Sequence, residues 1–115
     1  QLLATYSQTL EEAQNLQTSK FFFDVTQVCQ RFVDLCLAKN DLAFLQVARL
    51  SSLADDKEKQ DQIFRILEIL FSQHIEKESG RTSLDRLFQS RKMWRANVSF
   101  QNALEYIIIQ PAKRS

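Results

Sequence analysis

The chain has 115 residues, with 15 Lys and Arg against 14 Asp and Glu, and a single Gly and a single Pro. Ordinary usage is about 7% Gly and about 5% Pro, so turn-rich hairpin, sandwich and barrel folds are excluded, as are phosphate loops built on several glycines. A net charge of +1 exerts no overall pull toward nucleic acid or an anionic membrane, and 44% hydrophobic residues are enough for one packed core. The expected fold is all-α, a compact bundle of about five helices preceded by a short N-terminal helical segment.

In chain order, Thr9-Leu10-Glu11-Glu12 matches the S/T-x-x-E capping box and opens a short helix through Leu16. Gln, Asn, Thr and Ser at positions 14–19 then dilute the apolar pattern, which reads as a joint between modules. From Lys20, Phe21/Phe22, Val25, Val28/Cys29, Phe32 and Leu35/Cys36 recur every three or four residues, the pattern of an amphipathic helix with a wide apolar face. Phe21-Phe22-Phe23 cannot all face one core, because successive helical residues turn by about 100°. One of the three is expected at a junction or interface.

Asn40-Asp41 is expected to stop that helix and cap the next, which carries Leu42, Leu45, Ala48/Arg49 and Leu53. Asp55-Asp56 before Glu58 resembles another cap, with negative charge in the first turn. A third helix is expected over residues 57–77, its inner stripe formed by Ile63, Ile66/Leu67, Leu70/Phe71 and His74/Ile75 and widened by Phe64 and Ile69. Gly80 is expected to follow it in the left-handed conformation. Thr82-Ser83-Leu84-Asp85 then caps a fourth helix with Leu84, Leu87/Phe88 and Trp94. The last helix starts near Asn97 or Ser99, shows Phe100, Ala103/Leu104 and Ile107/Ile108, and ends at Pro111 before a basic tail at 112–115.

Little in this pattern suggests catalysis or metal binding. Cys29 and Cys36 stand seven apart, roughly 10 Å along a helix axis, too far for a disulfide or for chelating one ion. With His74 the only histidine, four zinc ligands cannot be assembled from Cys and His. Buried thiols in a reducing compartment, hence the cytoplasm, are expected, with no metal and no cofactor. A small enzyme working through His74 is a distant alternative, because local spacing supplies neither a nucleophile nor an orienting group. The paired carboxylates at 11–12 and 55–56 both fall at helix starts, where capping accounts for them. No apolar run approaches the ~18 residues of a membrane span. Gln1-Leu2-Leu3-Ala4 has no secretory pattern and no start methionine, which is expected of a piece of a longer chain.

Charge placement is more informative. Residues 81–95 hold Arg81, Arg86, Arg91, Lys92 and Arg95 against Asp85 alone, five cations and one acid, a local +4. Arg suits planar contacts to carboxylate or phosphate, and Trp with Arg is the pair most enriched at interface hot spots. Arg86, Arg91, Trp94 and Arg95 are therefore candidate subunit-interface residues. The competing reading is a solvated basic face with Trp94 in the core. A helical nucleic-acid-binding domain using this segment is the alternative function, weakened because Arg86 and Arg91 point about 140° apart around a helix.

The segment Met93-Trp94-Arg95-Ala96-Asn97-Val98-Ser99-Phe100-Gln101-Asn102-Ala103-Leu104-Glu105-Tyr106 resembles the last two helices of bacterial clamp-loader subunits, nearest the delta-prime subunits of DNA polymerase III in Gram-positive bacteria such as streptococci. Asn97 and Val98 match the family's turn, and Leu104-Glu105 match its last helix. Ser99 replaces the common second Asn and keeps a capping side chain. Leu2-Leu3-Ala4 and residues 9–13 look like the end of the family's small lid module. The resemblance implies a connector at residues 1–18, a helical collar domain at 19–111 and the tail at 112–115. It further implies a non-catalytic assembly role in DNA replication. The collar would pack beside its equivalents in the delta and tau/gamma subunits, in a pentamer that supports sliding-clamp loading. DNA contact, a membrane and a small-molecule substrate would play no direct part. The family's ATPase-like module, with its zinc site, would lie before Gln1.

Overall fold

The computed structural model describes residues 15–109, with side chains from residue 20 onward. It contains five helices among those residues: α1 Asn15–Leu37, α2 Ala43–Leu53, α3 Lys57–Ser72, α4 Glu78–Arg95 and α5 Phe100–Ile108. The all-α bundle expected from the scarcity of Gly and Pro is the observed fold. The capping box at 9–12, Pro111 and the basic tail lie outside the described residues. The polar stretch read as a joint does not interrupt the chain at 15–19, since α1 runs through it unbroken. It contains no Gly or Pro to stop a helix.

Helix α1 packs against α2, α3 and α4, while α5 closes the bundle against α4 and α2. Its inner stripe, Phe22, Val25, Cys29, Phe32, Val33 and Cys36, is buried at the expected period. Phe22 is inside, Phe21 is partly buried beneath the Lys59 ammonium, and Phe23 is 55% exposed, so Phe23 is the member of the triplet that leaves the core. Helix α3 contributes Ile63, Phe64, Leu67 and Phe71 to the core, all fully covered. Ile69, expected to widen its inner face, stands outside at 40% exposure.

Two helix ends use left-handed residues that are not glycine. Lys39 has φ 56° and Asn97 has φ 77°. After α1, the Asn40 N–H donates to the Leu35 carbonyl at 2.9 Å and the Lys39 N–H to Cys36 at 3.0 Å. After α4, the Val98 N–H donates to Met93 and the Asn97 N–H to Trp94, both at 3.0 Å. Each pair is the six-to-one and five-to-two pattern of a Schellman ending, satisfying carbonyls that the helix leaves open. Asn40 then accepts the Leu42 N–H at 2.8 Å on its side chain and leads into α2. The Asp56 carboxylate caps α3 as expected, accepting from the Lys59 N–H at 2.8 Å.

Gly80 corrects its expected role. It is the third residue of α4, and its φ is not positive. It is glycine because the turn before α4 folds back onto it: a Cβ would stand 2.0 Å from the His74 carbonyl oxygen. Helix α3 accordingly stops at Ser72 rather than 77, and a turn tied by Lys77 N–H to His74 O (3.0 Å) folds the chain straight into α4. His74 and Ile75 consequently lie in this turn, half-buried and 48% exposed, rather than on an inner stripe. Thr82 and Ser83 are not a cap but sit inside α4, which begins at Glu78.

Candidate interaction surface

The basic segment 81–95 forms most of α4, and its side chains separate around the helix. Arg86 turns toward α5: its Nη1 donates to the Tyr106 carbonyl at 2.8 Å, and its guanidinium lies 5.0 Å from the Tyr106 ring centre. Tyr106 O is among the last carbonyls of α5, which have no partner within the helix, so Arg86 closes a helix end. One turn along, the buried Ser90 hydroxyl donates to the Ala103 carbonyl at 2.6 Å, a second tie between α4 and α5.

Arg91 turns instead toward α3. Its Nη2 lies 2.6 Å from the Asp61 carboxylate and its Nη1 3.7 Å from Glu68, with the guanidinium 5.9 Å from the Phe64 ring centre. The Arg91 side chain is 18% exposed, and its Nε is buried without a hydrogen-bond partner. Trp94 follows on the same face and is 7% exposed. Its Nε1–H donates to the Gln60 side-chain oxygen at 2.9 Å, its ring packs on Phe64 at 5.2 Å, and Lys57 Nζ sits 5.0 Å from its centre. Trp94 thus takes the core position, with its polar edge satisfied internally.

Of the four candidate interface residues, Arg86, Arg91 and Trp94 make their contacts within the chain. Arg95 alone is fully at the surface, beside Lys92 in the last turn of α4, where cations interact favourably with the helix dipole. Arg81 is exposed and donates to the Ile75 carbonyl at 2.8 Å. A single basic patch does not form.

The residues of the 93–106 segment form the α4–α5 connection. Asn97 supplies the left-handed turn, and the Ser99 hydroxyl accepts the Asn102 N–H at 3.1 Å as the N-cap of α5. Leu104 is buried, and Glu105 accepts from the Gln101 side chain at 3.3 Å.

The surface feature absent from the sequence reading is on α2. Leu42 and Leu45 were expected in its apolar pattern, but they are 53% and 59% exposed, and the adjacent Phe44 is 39% exposed. The buried stripe is Ala43, Gln46/Val47 and Leu50. Helix α2 carries apolar residues at enough positions to satisfy two different stripes, and packing selects the one that turns Leu42 and Leu45 outward.

Cys29 and Cys36 are both free thiols in the core. Burial pushes the Cys29 thiol far above its ordinary value and that of Cys36 up to about 12, so both stay protonated and unreactive at neutral pH. Among the described residues, no three His, Cys, Asp or Glu side chains are grouped to hold a metal ion, and no helix is long and apolar enough to cross a membrane. No protein-family model, curated protein or solved structure matches this chain.

Proposed function

We propose that the chain is a non-catalytic assembly domain, the collar module of a clamp-loader subunit of the delta-prime type. It would act in the cytoplasm by packing beside the equivalent domains of delta and tau/gamma subunits. The observation that carries this reading is the segment 93–106. Its Asn97 turn, Ser99 cap and buried Leu104 join α4 to α5 with the residues by which the segment resembles that family. The two ties from Arg86 and Ser90 to α5 carbonyls make this helix pair a firm unit, which suits a domain that holds other modules in place. Large apolar side chains left at the surface, Phe23, Leu42, Leu45 and Phe88 among them, also suit a domain whose work is contact with neighbours.

The nucleic-acid alternative loses support, because Arg86 and Arg91 are engaged with Tyr106, Asp61 and Glu68. It would have to rest on Lys92 and Arg95.

Gel filtration of the chain mixed at micromolar concentration with delta and tau/gamma collar domains tests the proposal. Co-elution as a larger species is expected. Separate elution, with circular dichroism showing the chain helical, would overturn it.

A further inference from the structure

Helix α2 contains a local inversion: Leu45 faces out at 59% exposure while the next residue, Gln46, is 6% exposed with its Oε1 buried and unpartnered. An exposed leucine and a buried, unsatisfied amide side by side are each unfavourable for the isolated fold. Such conflicts between local chemistry and fold concentrate at functional surfaces. Both residues line one groove of about 600 Å³ between α1 and α2. Leu42 and Leu35 add to its apolar lining, and Arg31 and Arg49 bring cations from the two helices.

The charges of the groove are specific. Neither Arg31 nor Arg49 forms an ion pair with a described residue, although most other arginines in α3 and α4 are held by carboxylates or carbonyls. The one acid of the lining, Asp34, is engaged by the Gln30 amide at 3.3 Å on its own helix. The lining therefore combines leucines, two free guanidinium groups and a buried amide. That composition complements carboxylates flanking large aliphatic side chains.

We infer that the α1/α2 groove docks an acidic, amphipathic peptide segment of a partner protein. Aliphatic side chains at i and i+3 or i+4 of that segment cover Leu42 and Leu45, and its carboxylates reach Arg31 and Arg49. This inference does not rest on the clamp-loader reading, because its chemistry comes from the groove alone.

The test pans the full chain against displayed random twelve-residue peptides, then measures synthetic, fluorescein-labelled winners by anisotropy. Winners are expected to carry two large aliphatics at helical spacing flanked by Asp or Glu. Leu45→Glu should weaken them about thirtyfold or more, as loss of a central anchor does. Arg31→Glu and Arg49→Glu should each weaken them about fivefold, more at low salt. Ile69→Glu, on the exposed side of α3, should leave binding unchanged. All four positions are exposed, so the variants should fold, which circular dichroism checks. The proposal is overturned if no peptide is enriched, if the winners lack acids, or if their binding ignores the groove variants. A concentration-dependent dimer abolished by Leu45→Glu would also overturn it, by making a second copy of this chain the occupant.

Discussion

Replacing Gly80 by Ala separates packing from helix propensity, because the two predict opposite signs. Gly80 lies in the first turn of an 18-residue helix, and propensity alone credits Gly→Ala in a helix interior with about 1 kcal/mol of stabilisation. The added methyl would stand 2.0 Å from the His74 carbonyl oxygen and 2.6 Å from its carbon, where ordinary contact begins at 3.4 Å. The atoms in the way are backbone, so no rotamer change relieves the clash. The turn must retreat by well over an ångström. That movement strains or breaks the Lys77 N–H to His74 O bond and the Arg81 bond to Ile75 O beside it. Overpacking of this kind costs about 1–3 kcal/mol, and each lost hydrogen bond about 1 kcal/mol. After the propensity gain of about 1 kcal/mol, the net loss is about 2–4 kcal/mol, a large share of the 5–15 kcal/mol typical of a domain. Urea unfolding followed by fluorescence of the buried Trp94 reads this directly. With a slope of about 2 kcal/mol per molar urea, the middle of the usual range, the midpoint should fall by about 1–2 M. Ser79→Ala in the same turn serves as the control. A Gly80→Ala midpoint equal to or above that of the unchanged chain would refute the account of the α3–α4 turn.

Two further outcomes follow from the core. Because burial keeps Cys29 and Cys36 protonated when folded, the unfolded chain loses its thiol protons first as pH rises past their ordinary value of 9.0. Stability should be insensitive to these thiols below about pH 8 and should fall above 9, by about 3 kcal/mol for the two together by pH 10. Urea midpoints at pH 8 and 10 should converge in the Cys29→Ala/Cys36→Ala chain, and an unchanged pH slope there would refute the assignment. Asp61→Asn should cost more than Arg91→Met, about 1–3 against about 1 kcal/mol or less, since the first leaves a mostly buried guanidinium with Glu68 at 3.7 Å as its only carboxylate and the second removes it. The same unfolding assay checks the order, and the reverse order would refute it.

Features set by short-range chemistry were legible in the sequence. The Asp56 and Ser99 caps each depend on a backbone N–H three residues ahead, so their spacing is visible in the chain. The α1 stripe was legible because it is long and regular. Contacts across long separations were not: Arg91 finds Asp61 thirty residues back, and Trp94 finds Gln60 thirty-four back. Nothing local to 81–95 distinguishes a side chain pointing at a neighbouring helix from one pointing at a partner. Gly80 misled for a related reason. A glycine after an apolar run suits a helix end, but here the fold-back of the α3–α4 turn onto the first turn of α4 requires it, and that close approach leaves no periodic signal.

The outward leucines of α2 follow from competition within one short helix. Rolling α2 by one residue, about 100°, would carry Leu45 into the buried place of Gln46, but it would also carry Gln46 into that of Val47 and Arg49 into that of Leu50. It would also withdraw Ala43, Val47 and Leu50, each fully buried now, from the side that faces α1 and α5. Covering a leucine is worth about 1.5–3 kcal/mol, so losing Val47 and Leu50 outweighs gaining Leu45, and burying Arg49 adds to the cost. The bundle therefore holds the inversion as a whole, although α2 alone would not choose it. What remains on the outside is Leu42, Leu45, Arg31 and Arg49 around one groove, with favourable burial and pairing energy that the chain does not use itself. A partner that covers the leucines gains this energy without disturbing the core. For that reason the groove, rather than the basic segment of α4, is the surface on which association with this domain should depend.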